Sequence, residues 1–119
     1  MTLKECYESI GADFDAAVAR MCNKEAMLLK FALKFPADPT YPALVEAYEG
    51  GDIPTAFRMA HTLKGLCLNL GLDKLRESSA ALTEALRDNA NPAPNADELY
   101  EEVKRDYEAT RSALGSVEA

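Results

Sequence analysis

At 119 residues, 48% of them hydrophobic, the chain can close a core of its own without a metal or disulfide staple. Its formal net charge of −7 excludes nucleic acid as a main partner, because binding a phosphate backbone requires a basic surface. Cys6, Cys22 and Cys67 are an odd set without C-x-x-C spacing, as expected of free thiols in a reducing cytoplasm. With no apolar leader and no run approaching about 18 apolar residues, neither secretion nor membrane insertion is expected.

Helix formers dominate throughout, and no segment alternates apolar and polar residues long enough to predict a strand. Phe14, Val18 and Met21 predict a short leading helix with Asp13 as its N-cap. Asn23 is the expected cap of the next, whose Met27, Leu28, Phe31 and Phe35 are read as core. Pro36, Pro39 and Pro42 interrupt the pattern, and Leu44, Val45 and Tyr48 mark a short helix ended by Gly50-Gly51. Asp52 is the expected N-cap of a central helix, with Pro54 tolerated in its first turn and Gly71 as its left-handed stop. Asp73 is read as capping a helix with Leu75, Leu82 and Leu86 inside. Beyond Asn91-Pro92-Ala93-Pro94, Asn95 and Glu98 resemble a capping box for a last helix carrying Leu99, Val103, Tyr107 and Leu114. The acidic run from Asp97 to Glu102 is read as a solvated face at that helix's N-terminus. Helices with short links and one apolar stripe each predict an all-α four-helix bundle with short leading helices, one domain over 1–119.

Placed at about 100° per residue, the central helix divides into two faces. Ile53, Phe57, Ala60, Leu63, Cys67 and Leu70, broadened by Met59 and Leu66, form the inner stripe. His61, the single histidine of the chain, lies about 140° from the stripe's centre, with Arg58, Lys64, Gly65 and Leu68 on the same outer face. A glycine inside a helix costs about 1 kcal/mol relative to alanine, and an outward position offers no packing reason for Gly65. Its use there is to clear space beside the imidazole for another molecule. Leu68, apolar and outward, suits a docking contact. Residues 58–76 hold Arg58, Lys64, Lys74 and Arg76 against Asp73 alone, a formal +3, which leaves −10 for the remainder. Such a basic island would steer an acidic pocket toward His61.

A neutral imidazole is nucleophilic near pH 7, and its attack on an acyl phosphate gives a transferable phosphoramidate. Lys64, one turn along, can meet the phosphoryl oxygens. No nucleotide-binding loop or second catalytic box accompanies them, so the phosphoryl group must come from another protein. No His, Cys or carboxylate stands three or four residues from His61, so metal binding by it is not expected.

The run His61-Thr62-Leu63-Lys64-Gly65-Leu66-Cys67-Leu68-Asn69-Leu70-Gly71, followed by Leu75, resembles the histidine-containing phosphotransfer (HPt) domain pattern H-x-x-K-G, five residues, G, three residues, L. The resemblance takes in Gly51-Asp52 and Ala60 upstream and spans roughly residues 10–115. It departs at Cys22-Asn23-Lys24-Glu25, where the family often has Gly-Asp/Asn-Glu, and at Leu66 and Cys67, which are bulkier than usual. It implies a four-helix bundle, without kinase machinery, that shuttles phosphoryl groups between receiver-domain aspartates. His61 would be the acceptor, Lys64 the phosphoryl-stabilising residue and Gly65 the clearance position. Partners would be response-regulator receiver domains and a hybrid histidine kinase. The chain would bring no cofactor, Mg2+ coming with the receiver, and would act as a cytoplasmic monomer. The alternative is a non-catalytic helical adaptor that binds a receiver or another signalling protein; the intact His-Lys-Gly set favours the relay.

Overall fold

The computed structural model describes residues 1–118 and is all-helical over them. Seven α-helices follow in order: α1 Leu3–Ser9, α2 Phe14–Arg20, α3 Glu25–Lys34, α4 Thr40–Glu49, α5 Ile53–Leu70, α6 Asp73–Ala85 and α7 Ala96–Gly115, with a 3-10 turn over Phe35–Ala37. Helices α4 to α7 form the bundle. α5 lies between α4 and α6, and α6 packs on α7. The bundle closes between α4 and α7 through stacked tyrosines, Tyr41 on Tyr107 and Tyr48 on Tyr100, with ring centroids 3.6 and 4.1 Å apart. The short helices α2 and α3 lead into it, as predicted, with α1 before them.

Helix α1 is an element that the apolar periodicity did not announce. Thr2 and Glu5 build a capping box at its start, the Thr2 hydroxyl accepting from Glu5 N–H and the Glu5 carboxylate from Thr2 N–H. It buries Leu3, Cys6 and Tyr7, and the Tyr7 hydroxyl donates to the Leu70 carbonyl at 2.6 Å, satisfying the last turn of α5. Burial moves the Tyr7 phenol up from its usual range.

Asp13 caps α2 as expected, accepting from Ala16 N–H. Three other expected caps are corrected. Asn23 does not cap α3: Cys22 and Asn23 both take left-handed backbone, φ 55° and 60°, to turn the chain, and Lys24 holds the cap position. Asp73 is the first residue of α6 after Leu72 at the cap, and its carboxylate accepts instead from the N–H of Asp13 at 3.3 Å. Asn95 does sit at the start of α7, but its side chain makes no capping bond, so the box with Glu98 does not form.

The inner residues of α3 also need correction. Leu28, Ala32 and Phe35 face the core, whereas Met27 and Phe31 are 37% and 43% exposed. Met27 and Phe31, four residues apart, form a second stripe about 100° round from Leu28. The bundle covers only one of the two. Cys6 and Cys67 are buried and Cys22 is exposed, all three free. Burial pushes the Cys67 thiol up to about 12.

Candidate functional site

Helix α5 is positioned from both ends. At its start the Asp52 carboxylate accepts from Thr55 N–H; hydrogen bonding from the Thr55 side chain, and then from its N–H, holds that carboxyl below its usual range, and Pro54 sits in the first turn. At its end Gly71 is left-handed, φ 71°. A Cβ on Gly71 would meet the Cβ of Ala17 at 2.6 Å, so both backbone sign and the close seat of α2 require glycine. Arg20 of α2 donates to the Leu68 carbonyl at 3.1 Å, tying the same end down. Ala56, Ala60, Leu63, Cys67 and Leu70 are buried, while Ile53, Phe57, Met59 and Leu66 pack at the margin of the core.

This inward stripe turns His61 to solvent. Arg58, Gly65 and Leu68 are exposed on the same side, Leu68 at 46%, and Lys64 is half-buried. A Cβ built on Gly65 meets nothing within 4 Å, so the glycine has no packing role inside the chain. Arg58 donates to the Thr55 hydroxyl at 3.0 Å, and its own carbonyl accepts from the Thr62 hydroxyl. Neither Arg58 nor Lys64 makes an ion pair among the described residues.

The expected basic island divides. Gly71 is ten residues beyond His61, about 15 Å down the axis at 1.5 Å per residue, and Lys74 and Arg76 belong to the α6 turn that begins after it. Arg76 pairs with Asp73 and Glu77 at 4.0 and 3.9 Å. Lys74 lines a groove between α6 and α7 with Glu77, Glu102, Arg105 and Asp106. The cations that α5 itself places on the His61 face are Arg58 and Lys64.

Sequence reasoning missed what α2, α3 and α6 bring to this face. From the end of α6 and the turn after it come Glu84 and Arg87, the guanidinium lying 5.5 Å over the Phe57 ring one turn before His61. On the opposite flank Met21, Phe31, Phe35, Leu66 and Leu70 line a groove of about 740 Å³, with Arg20 and Lys34 at its edge. The four-residue spacing of Met27 and Phe31 was a visible signal of a second apolar stripe. Which stripe faces the core is decided only by packing.

An exposed imidazole thus stands beside a cleared glycine and a lysine that makes no ion pair among the described residues. The family model for the Hpt domain matches residues 37–113, from the end of the 3-10 turn to near the end of α7. The chain belongs to the Hpt domain family. No curated protein and no solved structure matches it. Hpt domains are phosphocarrier modules of two-component signalling that interact with receiver domains and histidine kinases. In this Hpt domain, no helix among the described residues is long and apolar enough to cross a membrane. No group of three His, Cys, Asp or Glu side chains among them could hold a metal ion.

Proposed function

We propose that this Hpt domain accepts a phosphoryl group on His61 from a receiver-domain aspartate and passes it to a second receiver. The observation that carries the reading is the outward His61 with open space beside Gly65 on the next turn. A neutral imidazole nitrogen attacks the phosphorus of the aspartyl phosphate. The P–N bond forms, the P–O bond breaks with its electron pair leaving on the aspartate carboxylate, and the ring proton passes to solvent. Lys64 neutralises charge on the phosphoryl oxygens, and Gly65 admits the receiver's backbone. Magnesium belongs to the receiver, where it offsets the negative charge around the aspartate. Arg58 and Leu68 are the contacts assigned to the docked receiver, and a hybrid histidine kinase is the source of the phosphoryl group. The reading places the chain in the cytoplasm as a monomer.

The test is incubation of the protein with a phosphorylated receiver. Label stable in base and labile in acid is expected on the wild-type chain and absent from His61→Gln, whose melting should match wild type because position 61 lies outside the core. Acid-labile label retained by His61→Gln would falsify the assignment.

A further inference from the structure

Among the described residues the large apolar side chains left exposed are Met1, Met27, Phe31 and Leu68, and two of these four stand one turn apart on α3. Phe31 lines the groove together with the buried Phe35 and Leu70 and the half-buried Leu66. That groove runs between the ends of α2 and α3 and the last turns of α5, and its 740 Å³ can take several side chains of an incoming helix. Its surroundings are basic. Residues 20–34 carry Arg20, Lys24, Lys30 and Lys34 against Glu25 alone, a formal +3 on a chain of −7. All four cations are exposed, and none makes an ion pair among the described residues. Arg20 and Lys34 line the groove itself, and Lys30 stands one turn before Lys34. Asp38, the acid at its edge, accepts from the Thr40 N–H at 2.8 Å.

We propose that this groove docks an acidic amphipathic helix of another protein, with its apolar ridge against Met27, Phe31 and Leu66 and its carboxylates facing Arg20, Lys30 and Lys34. The apolar ridge supplies the anchor, and the opposite charges supply the approach and the register. A flat membrane surface would reach Met27 and Phe31 but could not fill a concave groove. A second copy of this chain offers no matching ridge. Its other exposed large apolar side chains are Met1 and Leu68, and Leu68 shares its face with Arg58 and Lys64. Two copies meeting through α3 would also set Lys30 and Lys34 against their own kind. Leu66 and Asn69 of the groove lie about 8 and 12 Å beyond His61, and about 140° and 80° round the helix from it. The docked helix therefore sits beside the phosphoryl face and leaves His61 uncovered. The proposal goes beyond the transfer reading and stands without it.

The experiment titrates the full chain with a synthetic helix of about 16 residues, leucines along one face and glutamates on its flanks, read by NMR shifts and calorimetry. Saturable binding is expected, with shifts at Met27, Phe31, Leu66 and Asn69, and the same affinity in His61→Gln. Phe31→Glu should weaken it about tenfold or more, as when an apolar anchor is lost, with melting unchanged because the side chain is exposed. Lys34→Glu should weaken it about two- to fivefold at low salt, the size of an exposed charge pair. The same peptide with lysine for glutamate should bind far more weakly. No saturable binding, equal binding of the acidic and basic peptides, or an affinity indifferent to Phe31→Glu would each overturn the proposal. So would vesicles of phosphatidylglycerol binding the chain through Phe31 where the peptide does not, or sedimentation showing a dimer that Phe31→Glu dissolves. Displacement of the bound peptide by a saturating receiver domain would make the groove part of the receiver's own footprint and overturn the separate site. A chain that binds the peptide but takes no phosphoryl label loses the transfer reading alone.

Discussion

Along the seam between α4 and α7, side chains that leave the core meet partners inside the chain. Tyr48 donates to Asp97, Tyr100 donates to Glu49 at 2.6 Å, and Lys104 lies 3.8 Å from the same Glu49 and over the Tyr100 ring. Burial, and after it the bond to the neighbouring carboxylate, moves both phenols up. On the outer strip of α5 the same kinds of group are left over. Arg58 reaches only Thr55 of its own helix, Lys64 has no ion pair among the described residues, and the space beside Gly65 is empty. The seam uses polar chemistry to join two helices through residue pairs 49 and 51 positions apart in sequence. The strip keeps its polar chemistry available for a molecule that arrives later.

The sharpest break of this contrast uses the two faces of α5 itself. Leu63 is fully buried two residues from His61, and Leu63→Ala should cost about 2–5 kcal/mol in urea denaturation. A loss below about 1 kcal/mol would mean that the inner stripe is not the core. Gly65→Gln should slow transfer by about tenfold or more, on the same scale as a displaced docking partner, while raising stability by up to about 1 kcal/mol. Wild-type transfer by that variant would show that the cleared space has no use. Tyr100→Phe tests the other side. It removes the bond to Glu49 and should cost about 1 kcal/mol in denaturation, with phosphoryl acceptance unchanged.

The smallest effect concerns steering. Arg58→Glu should lower the association rate with a receiver a few-fold at low salt and leave dissociation nearly unaltered, read by stopped flow. Raising ionic strength should bring the wild-type rate toward that of the variant, since screening acts over about 8 Å in physiological salt. Rates indifferent to both would reduce the cations of the strip to ordinary surface charge. With Lys74 and Arg76 at the far end of α5, their reversal should matter less than that of Arg58.

What the sequence by itself determined is local to one helix at a time. Asp52, Pro54 and Gly71 set the ends of α5, and the spacing of Ala60, Leu63, Cys67 and Leu70 turned His61 outward with Gly65 and Leu68 beside it. Helical geometry relates residues three and four apart whatever the rest of the chain does, so this much of the site was legible. Caps were less so, because Asn23, Asp73 and Asn95 each had a competing use or none: a left-handed turn, a bond to the Asp13 backbone, and no capping bond at all. The capping box of α1 was equally local and stood plainly in Thr2 and Glu5, but the short segment has too few apolar residues for its period to show. Only the tertiary structure decided which of two stripes on α3 would be buried, that Asp97 would take the Tyr48 hydroxyl, and that the Arg87 guanidinium would lie over the Phe57 ring. Those relations depend on how helices seat against one another, and side-chain packing across several helices at once, which no single period encodes, selects that arrangement.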